Sequence, residues 1–125
     1  IHYAALMEGV AYAERLAFEH MQECGACVGQ EIFTTGGACR SSEWLRIRAS
    51  VLDRMLKVPE NTGAAMGCAI LAASASCYHD LPEAAGHMIS YRDIIEPVYG
   101  LTSLYDELYQ CAFEAYQERY QLGKG

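Results

Sequence analysis

The run Phe33-Thr34-Thr35-Gly36-Gly37-Ala38-Cys39-Arg40-Ser41-Ser42 holds the residues best placed to do chemistry in this 125-residue chain. Gly36 and Gly37 lack Cβ atoms, so the backbone can turn sharply there and a ligand can come close to the main chain. Free N–H groups at the start of the helix predicted to follow would face the same mouth, which suits an anion or a sugar-phosphate edge. Ser41 could direct its hydroxyl there as well. The competing reading of these residues is a strand–turn–helix joint whose glycines serve only the turn. No GK[ST] follows, so this is not a Walker loop, and the third glycine of a dinucleotide fingerprint is missing.

Other reactive side chains read more plainly. Cys24 and Cys27 form one C-x-x-C with no second pair at zinc-ribbon spacing, so no metal site is assigned, and a redox or zinc module stays a minor alternative. Most of the six cysteines lie in apolar or small-residue helical stretches, where a thiol acts as a small core hydrophobe. With no secretory leader at its start, the chain is expected in a reducing, cytoplasmic compartment. His2, His20, His79 and His87 are scattered and suit surface or cap roles. Asp80 suits a cap for the helix that Pro82 opens. Asp93 and Glu96, just before Pro97, read as members of a solvated loop. Arg40 is expected to point into solvent, and the nine tyrosines to pack with their hydroxyls at the rim.

These side chains must be held by a scaffold of modest size. A 13.8 kDa chain with 52% hydrophobic and 20% charged residues is globular in composition. The surface scaling for that mass gives roughly 6,600 Å² when folded, enough burial for one core. A net charge of −7 and a pI near 5.0 lack the electrostatic footprint of a nucleic-acid binder. A phosphate-bearing ligand would then be held by local dipoles and backbone donors. The uncharged run Asn61 to Tyr78 approaches membrane-spanning length, but it is mostly Ala, Gly, Ser and Cys. It reads as a tightly packed internal helix, and no membrane partner is expected.

The periodicity predicts a helix from about Tyr3 to Cys24 with an apolar stripe of Leu6, Val10, Ala13, Ala17 and Met21, stopped by Gly25. Glu31 to Thr35 reads as a short buried strand. Ser41 or Ser42 caps a helix running to Asp53, in which Trp44, Leu45, Ile47, Ala49, Val51 and Leu52 make one broad apolar face. Met55 to Val58 is a second strand, closed by Pro59. Asn61 or Thr62 caps the Ala/Gly-rich helix, and Pro82 begins a shorter one. Leu101 to Tyr120 is an amphipathic tail with Leu104, Leu108, Cys111 and Ala115 beside Tyr105, Ala112 and Tyr116. The expected fold class is α/β, with two short parallel strands, helices and a helical C-terminal tail. Two strands make a poor sheet alone, so either two chains pair as a homodimer or neighbouring strands come from elsewhere in a longer protein.

Several segments resemble one family. Glu8-Gly9-Val10-Ala11 resembles the "EGVA" segment of sugar kinases. Thr35-Gly36-Gly37-Ala38, Trp44 and Arg48-Ala49-Ser50-Val51-Leu52 resemble their "GGGA…W…ADVLG" block. Lys57-Val58-Pro59-Glu60, then Gly63 to Ala73, resembles "V.VPE…ALGAAILAA". In order and at compatible spacing, these make the chain similar to the C-terminal part of an FGGY-family carbohydrate kinase.

The resemblance implies an actin-like ATPase fold of two ribonuclease-H-like domains with ATP and sugar meeting between them. Residues 1–125 would be a single partial domain, the C-terminal segment of the second, nucleotide-binding domain, with the upstream domain absent. It further implies ATP-dependent phosphorylation of a sugar or polyol hydroxyl by the full-length protein. Gly36 and Gly37 would approach the α-phosphate and ribose of ATP or ADP, Ser41 would contact adenine, and Gly67 would let the small-residue helix pack under that loop. The catalytic base, most of the sugar contacts and the groups around Mg²⁺ would lie in the missing upstream part, so these residues alone would be inactive. Ser50 stands where the family commonly has Asp, Cys68 where it has Ala, and Cys77 where it has a helix-ending Gly. The alternative from another class is a non-catalytic actin-like nucleotide-binding or assembly module.

Overall fold

The computed structural model describes residues 2–120. Its elements run α1 (His2–Glu23), β1 (Glu31–Phe33), a 3₁₀ turn (Gly37–Arg40), α2 (Ser42–Leu52), β2 (Met55–Pro59), α3 (Ala64–Ser76), α4 (Leu81–Met88), β3 (Tyr91–Ile95) and α5 (Leu101–Tyr120). The sheet has three strands in the order β1-β2-β3. The first pair is parallel, joined through α2, with Ile32 opposite Leu56. The second is antiparallel, with Val58 opposite Asp93 and a register shift between Val58 and Pro59.

The third strand corrects the expected pair of strands and places Asp93 on the sheet instead of in a loop. Arg92 and Asp93 interrupt the apolar signal of Tyr91, Ile94 and Ile95, because only one side of this edge strand is covered. The sheet therefore reaches the three strands needed for independent stability within one chain. The first strand is also shorter than expected, ending at Phe33, and it is an edge strand with Glu31 and Phe33 exposed, not a buried one. Backbone pairing stops when Thr34 N–H has bonded to Lys57 O at 3.0 Å, and the glycine loop then turns away.

The core is built around α2 and β2. Ser41 caps α2, its Oγ accepting from Trp44 N–H at 3.2 Å, and Asp53 ends it in a left-handed conformation (φ 49°). The broad face of α2 divides in two. Leu45, Ala49 and Leu52 pack with Cys39, Leu56 and Val58 against the sheet, while Val51 packs with Ala11 and Tyr105, flanked by Trp44 and Ile47. Leu56 and Val58 are wholly buried, and burying such a side chain stabilises by about 1.5–3 kcal/mol. Ser50, also buried, accepts from Val98 N–H at 3.1 Å and donates to Arg46 O at 2.8 Å, so it ties the segment after β3 to α2.

The outer helices depart from their expected faces. On α1 the predicted stripe points outward, with Leu6 69%, Val10 60% and Met21 49% exposed. Its inner side carries Ala11, Tyr12, Glu14, Arg15 and Phe18. Arg15 bonds Asp106 Oδ1 at 2.6 Å, Val51 O at 3.2 Å and Glu19, and stacks over Tyr109. On α5, correspondingly, Tyr105 and Tyr109 are the buried residues, while Leu104 and Leu108 are exposed. An ion pair and two phenols anchor the pair of helices where leucines were expected. The small-residue helix is not internal: of α3 only Ile70 is buried. Gly63 is its N-cap, and Asn61 supports it by accepting from Gly63 N–H at 3.0 Å. The cysteines follow the same correction, since Cys39 is buried and Cys24, Cys27, Cys68, Cys77 and Cys111 are exposed. Asp80 does cap α4, accepting from Glu83 N–H at 2.9 Å.

The total surface is 8635 Å², about 2,000 Å² more than the roughly 6,600 Å² a compact monomer of this mass shows. No helix among the described residues is long and apolar enough to cross a membrane.

Candidate functional site

The loop after β1 stands between two hollows. Gly36 has φ +91° and ψ −174°, a conformation that disfavours any side chain, and a Cβ placed on it would meet nothing within 4 Å. It opens onto a cleft of about 710 Å³ between the C-terminal end of β2 and the first turns of α3. Thr35 and Gly36 line that cleft from the loop, Pro59 to Ala64 with Met66, Gly67 and Ile70 from the turn after β2 and from α3, and Ile89 and Ser90 from the segment before β3. A Cβ on Gly67 would likewise meet open space. Both glycines thus line one cleft with no side chain of their own. The sequence reading missed the contribution of the Asn61–Gly63 turn and of Ser90; Pro59, which ends β2, was the signal that the chain leaves the sheet beside the hinge.

The second hollow is a groove of about 290 Å³ on the other side of the loop, formed by Ala38, Ser41 and Trp44 with Tyr3, Leu6, Met7 and Val10 of α1. Ser41 lies here and not in the cleft that holds Gly36. Its hydroxyl is engaged in capping α2 and approaches Glu43 Oε2 at 3.5 Å. A hydrogen bond from its own backbone N–H, and then those from Ser42 and Ser41, keep the Glu43 carboxyl below its ordinary pKa, so a negative charge sits beside the groove at neutral pH. Gly37 starts the 3₁₀ turn between the hollows, and its Cβ position is also open. Arg40 is exposed and faces a third hollow with Arg92 and Asp93.

The chemistry of the lining bears on what fits. The cleft has small and apolar walls, a few hydroxyl and amide groups, one carboxylate, Glu60, which accepts from Ser90 Oγ at 2.7 Å, and no basic side chain among its described lining residues. Such a surface suits a ribose or a purine, with a phosphate met by backbone N–H groups and its charge balanced elsewhere. The groove, with Trp44 and Val10 on its walls, suits a flat apolar ring. Among the described residues, no three His, Cys, Asp or Glu gather in a way that could hold a metal ion.

A three-stranded sheet that delivers a glycine hinge to the mouth of a cleft defines the class, an α/β scaffold with its candidate site at a strand–turn–helix junction. Residues 1–76 match the FGGY family of carbohydrate kinases, C-terminal domain, and the chain belongs to that family. It is 30% identical over 122 residues to the ribulokinase of Bacillus licheniformis, an overlap of 91% of this chain and 22% of that protein. It is 32% identical over 87 residues to the xylulose kinase of Bacillus subtilis, covering 68% of this chain and 17% of the relative. The solved xylulose kinase of Rhodospirillum rubrum superposes with a TM-score of 0.73 at 27% identity, over 93% of this chain and 24% of that one. The chain thus spans about a fifth of the length of the curated relatives it matches.

Proposed function

We propose that this chain is the C-terminal segment of the second, ribonuclease-H-like domain of an ATP-dependent sugar kinase, and that it supplies part of the adenosine site. In this reading the purine lies in the groove beside Ser41 and Trp44, and the ribose and α-phosphate cross Gly36 and Gly37. The larger cleft beyond Gly36 leads toward the phosphates and the acceptor hydroxyl. The observation that carries the reading is the positive-φ Gly36, open on its Cβ side, in a loop whose residues line two hollows of complementary chemistry.

ATP supplies the transferable phosphoryl group. Its transfer needs a base for the sugar hydroxyl and charge neutralisation at the β- and γ-phosphates. The cleft offers no basic side chain for that charge among its described lining residues, and its one carboxylate, Glu60, already accepts from Ser90 Oγ at 2.7 Å. The catalytic base, Mg²⁺ and most sugar contacts are accordingly assigned to the remainder of a longer polypeptide. The names of the relatives make five-carbon ketoses the first substrates to try.

The test is a coupled ADP-release assay with ATP, Mg²⁺ and a panel of pentuloses, polyols and aldonates. The full-length protein is expected to turn over with at least one of them, and the 125-residue chain with none. Sugar-dependent turnover by the short chain, or none by the long one on any substrate, would contradict the reading; the second result would favour an actin-like nucleotide-binding or assembly module.

A further inference from the structure

The glycine loop has four exposed residues, Thr35 to Ala38, between two buried ones, Thr34 and Cys39. The hinge is therefore held at its ends. Thr34 is tied to β2 through its N–H, which bonds Lys57 O at 3.0 Å. Its Oγ1 accepts from Nη1 of Arg48 and sits 3.6 Å from Cys39 Sγ, so the two ends of the loop touch. Cys39 N–H bonds Gly36 O at 3.3 Å, and Cys39 O accepts from Arg92 Nη2 at 2.8 Å.

Arg48 is the centre of this arrangement. It projects from the middle of α2, its side chain only 12% exposed. Its Nε and Nη2 meet Glu14 of α1 at 2.6 and 2.5 Å, a two-pronged pairing that fixes the plane of the guanidinium. With two nitrogens so held, the third is aimed at Thr34. A clamp whose only task was to join α1 to α2 would have no use for that last bond.

We propose that Arg48, oriented by Glu14, is a positioning residue that sets the glycine hinge through Thr34 and so preshapes the adenosine contact at Gly36 and Gly37. This rests on the nucleotide reading above. The hinge needs such support because its glycines are conformationally free and would otherwise be ordered only at the moment of binding.

Thr34→Val is the informative variant, since it keeps shape and leaves the Glu14–Arg48 pair intact. Residue-resolved amide exchange is measured on the 125-residue chain, together with its melting temperature and its affinity for ADP. Thr34→Val is expected to speed exchange of the Thr34 and Cys39 amides by about tenfold, with α4 and α5 unchanged. ADP affinity should fall by a similar factor while the melting temperature stays within a few degrees. Arg48→Met should match it at the hinge and also loosen α1; Arg48→Lys, which cannot serve both partners, should recover only part of the loss. Unchanged exchange at Thr34 and Cys39 in Thr34→Val overturns the proposal, whether or not Arg48→Met folds. Faster exchange in a chain whose wild type binds no ADP would uphold the positioning and remove the nucleotide.

Discussion

Two helices of similar length, α2 and α3, show how differently apolar residues can be used. Five of the eleven residues of α2 are buried, against one of the thirteen in α3. Yet α3 is the more apolar by sequence, without a single charge from Ala64 to Ser76. The helix that is buried earns its place by amphipathic spacing and by sitting between the sheet and α1, with cores on both sides. The other lies against α4 at the rim of the cleft and leaves Leu71 59% exposed. Apolar composition alone did not bury it. In the proposed longer kinase, its small-residue face is a surface awaiting cover.

The sharpest way to break this comparison is to empty each region in turn. Leu56→Ala, in the fully packed sheet centre, should cost about 2–5 kcal/mol, read from denaturant unfolding of this chain. A cost below that of a surface change would mean that the core is not where the structure puts it.

The polar seam between α1 and α5 should fail next, and at alkaline pH. Burial and then the charge of Glu8 push the Tyr105 phenol from 10.0 up to about 12. Its hydroxyl donates to Glu8 Oε1 at 3.2 Å. Below pH 10 folded and unfolded chains both keep the proton, and the contribution is whole. Between pH 10 and 12 the unfolded chain loses it first, so stability falls as pH rises. Tyr109, raised by burial and its bond to Glu19, adds in the same direction. Melts across this window should show the decline, and Tyr105→Phe should flatten it; an equal decline in that variant would contradict the assignment.

At the hinge, Gly36→Ala should destabilise by about 1–3 kcal/mol because its positive φ with extended ψ is a conformation essentially confined to glycine, whereas Gly37→Ala should not carry that penalty. Equal melting temperatures for the two would contradict the conformation described. The smallest effect belongs to α3: Leu71→Ala should stay within about 0.5 kcal/mol in this chain. In the proposed longer kinase, where the face would be covered, the same change should cost about 2 kcal/mol or more. A null effect in both would show that α3 faces solvent in either setting.

Much of the scaffold was legible in the sequence. Ser41, Asp80 and Pro82 marked helix starts, and the alternation of Leu56 and Val58 marked the central strand, because caps and strand faces are local signals. The third strand was not, since Arg92 and Asp93 sit on an edge with only one side to bury. The faces of α1 and α5 were assigned to their leucines, but the inward contacts are made by Arg15, Tyr105, Tyr109 and Asp106, whose partners lie some 90 residues apart. Spacing within a helix cannot report a partner so distant. At the candidate site, Gly36 and Gly37 could be found from composition, while the Arg48–Thr34 bond could not, because it needs the return of α2 beneath the loop. Nor could the separation of Ser41 from the Gly36 cleft, which follows from its commitment to Trp44 N–H.

Trp44 offers the most direct measurement. It is the only tryptophan of the chain and lines the groove beside Ser41. Titrating ADP into the 125-residue chain should change its fluorescence saturably, with Gly36→Ala weakening the response. Binding of ADP that leaves Trp44 untouched, or no saturable binding at all, would contradict an adenosine site at this hinge.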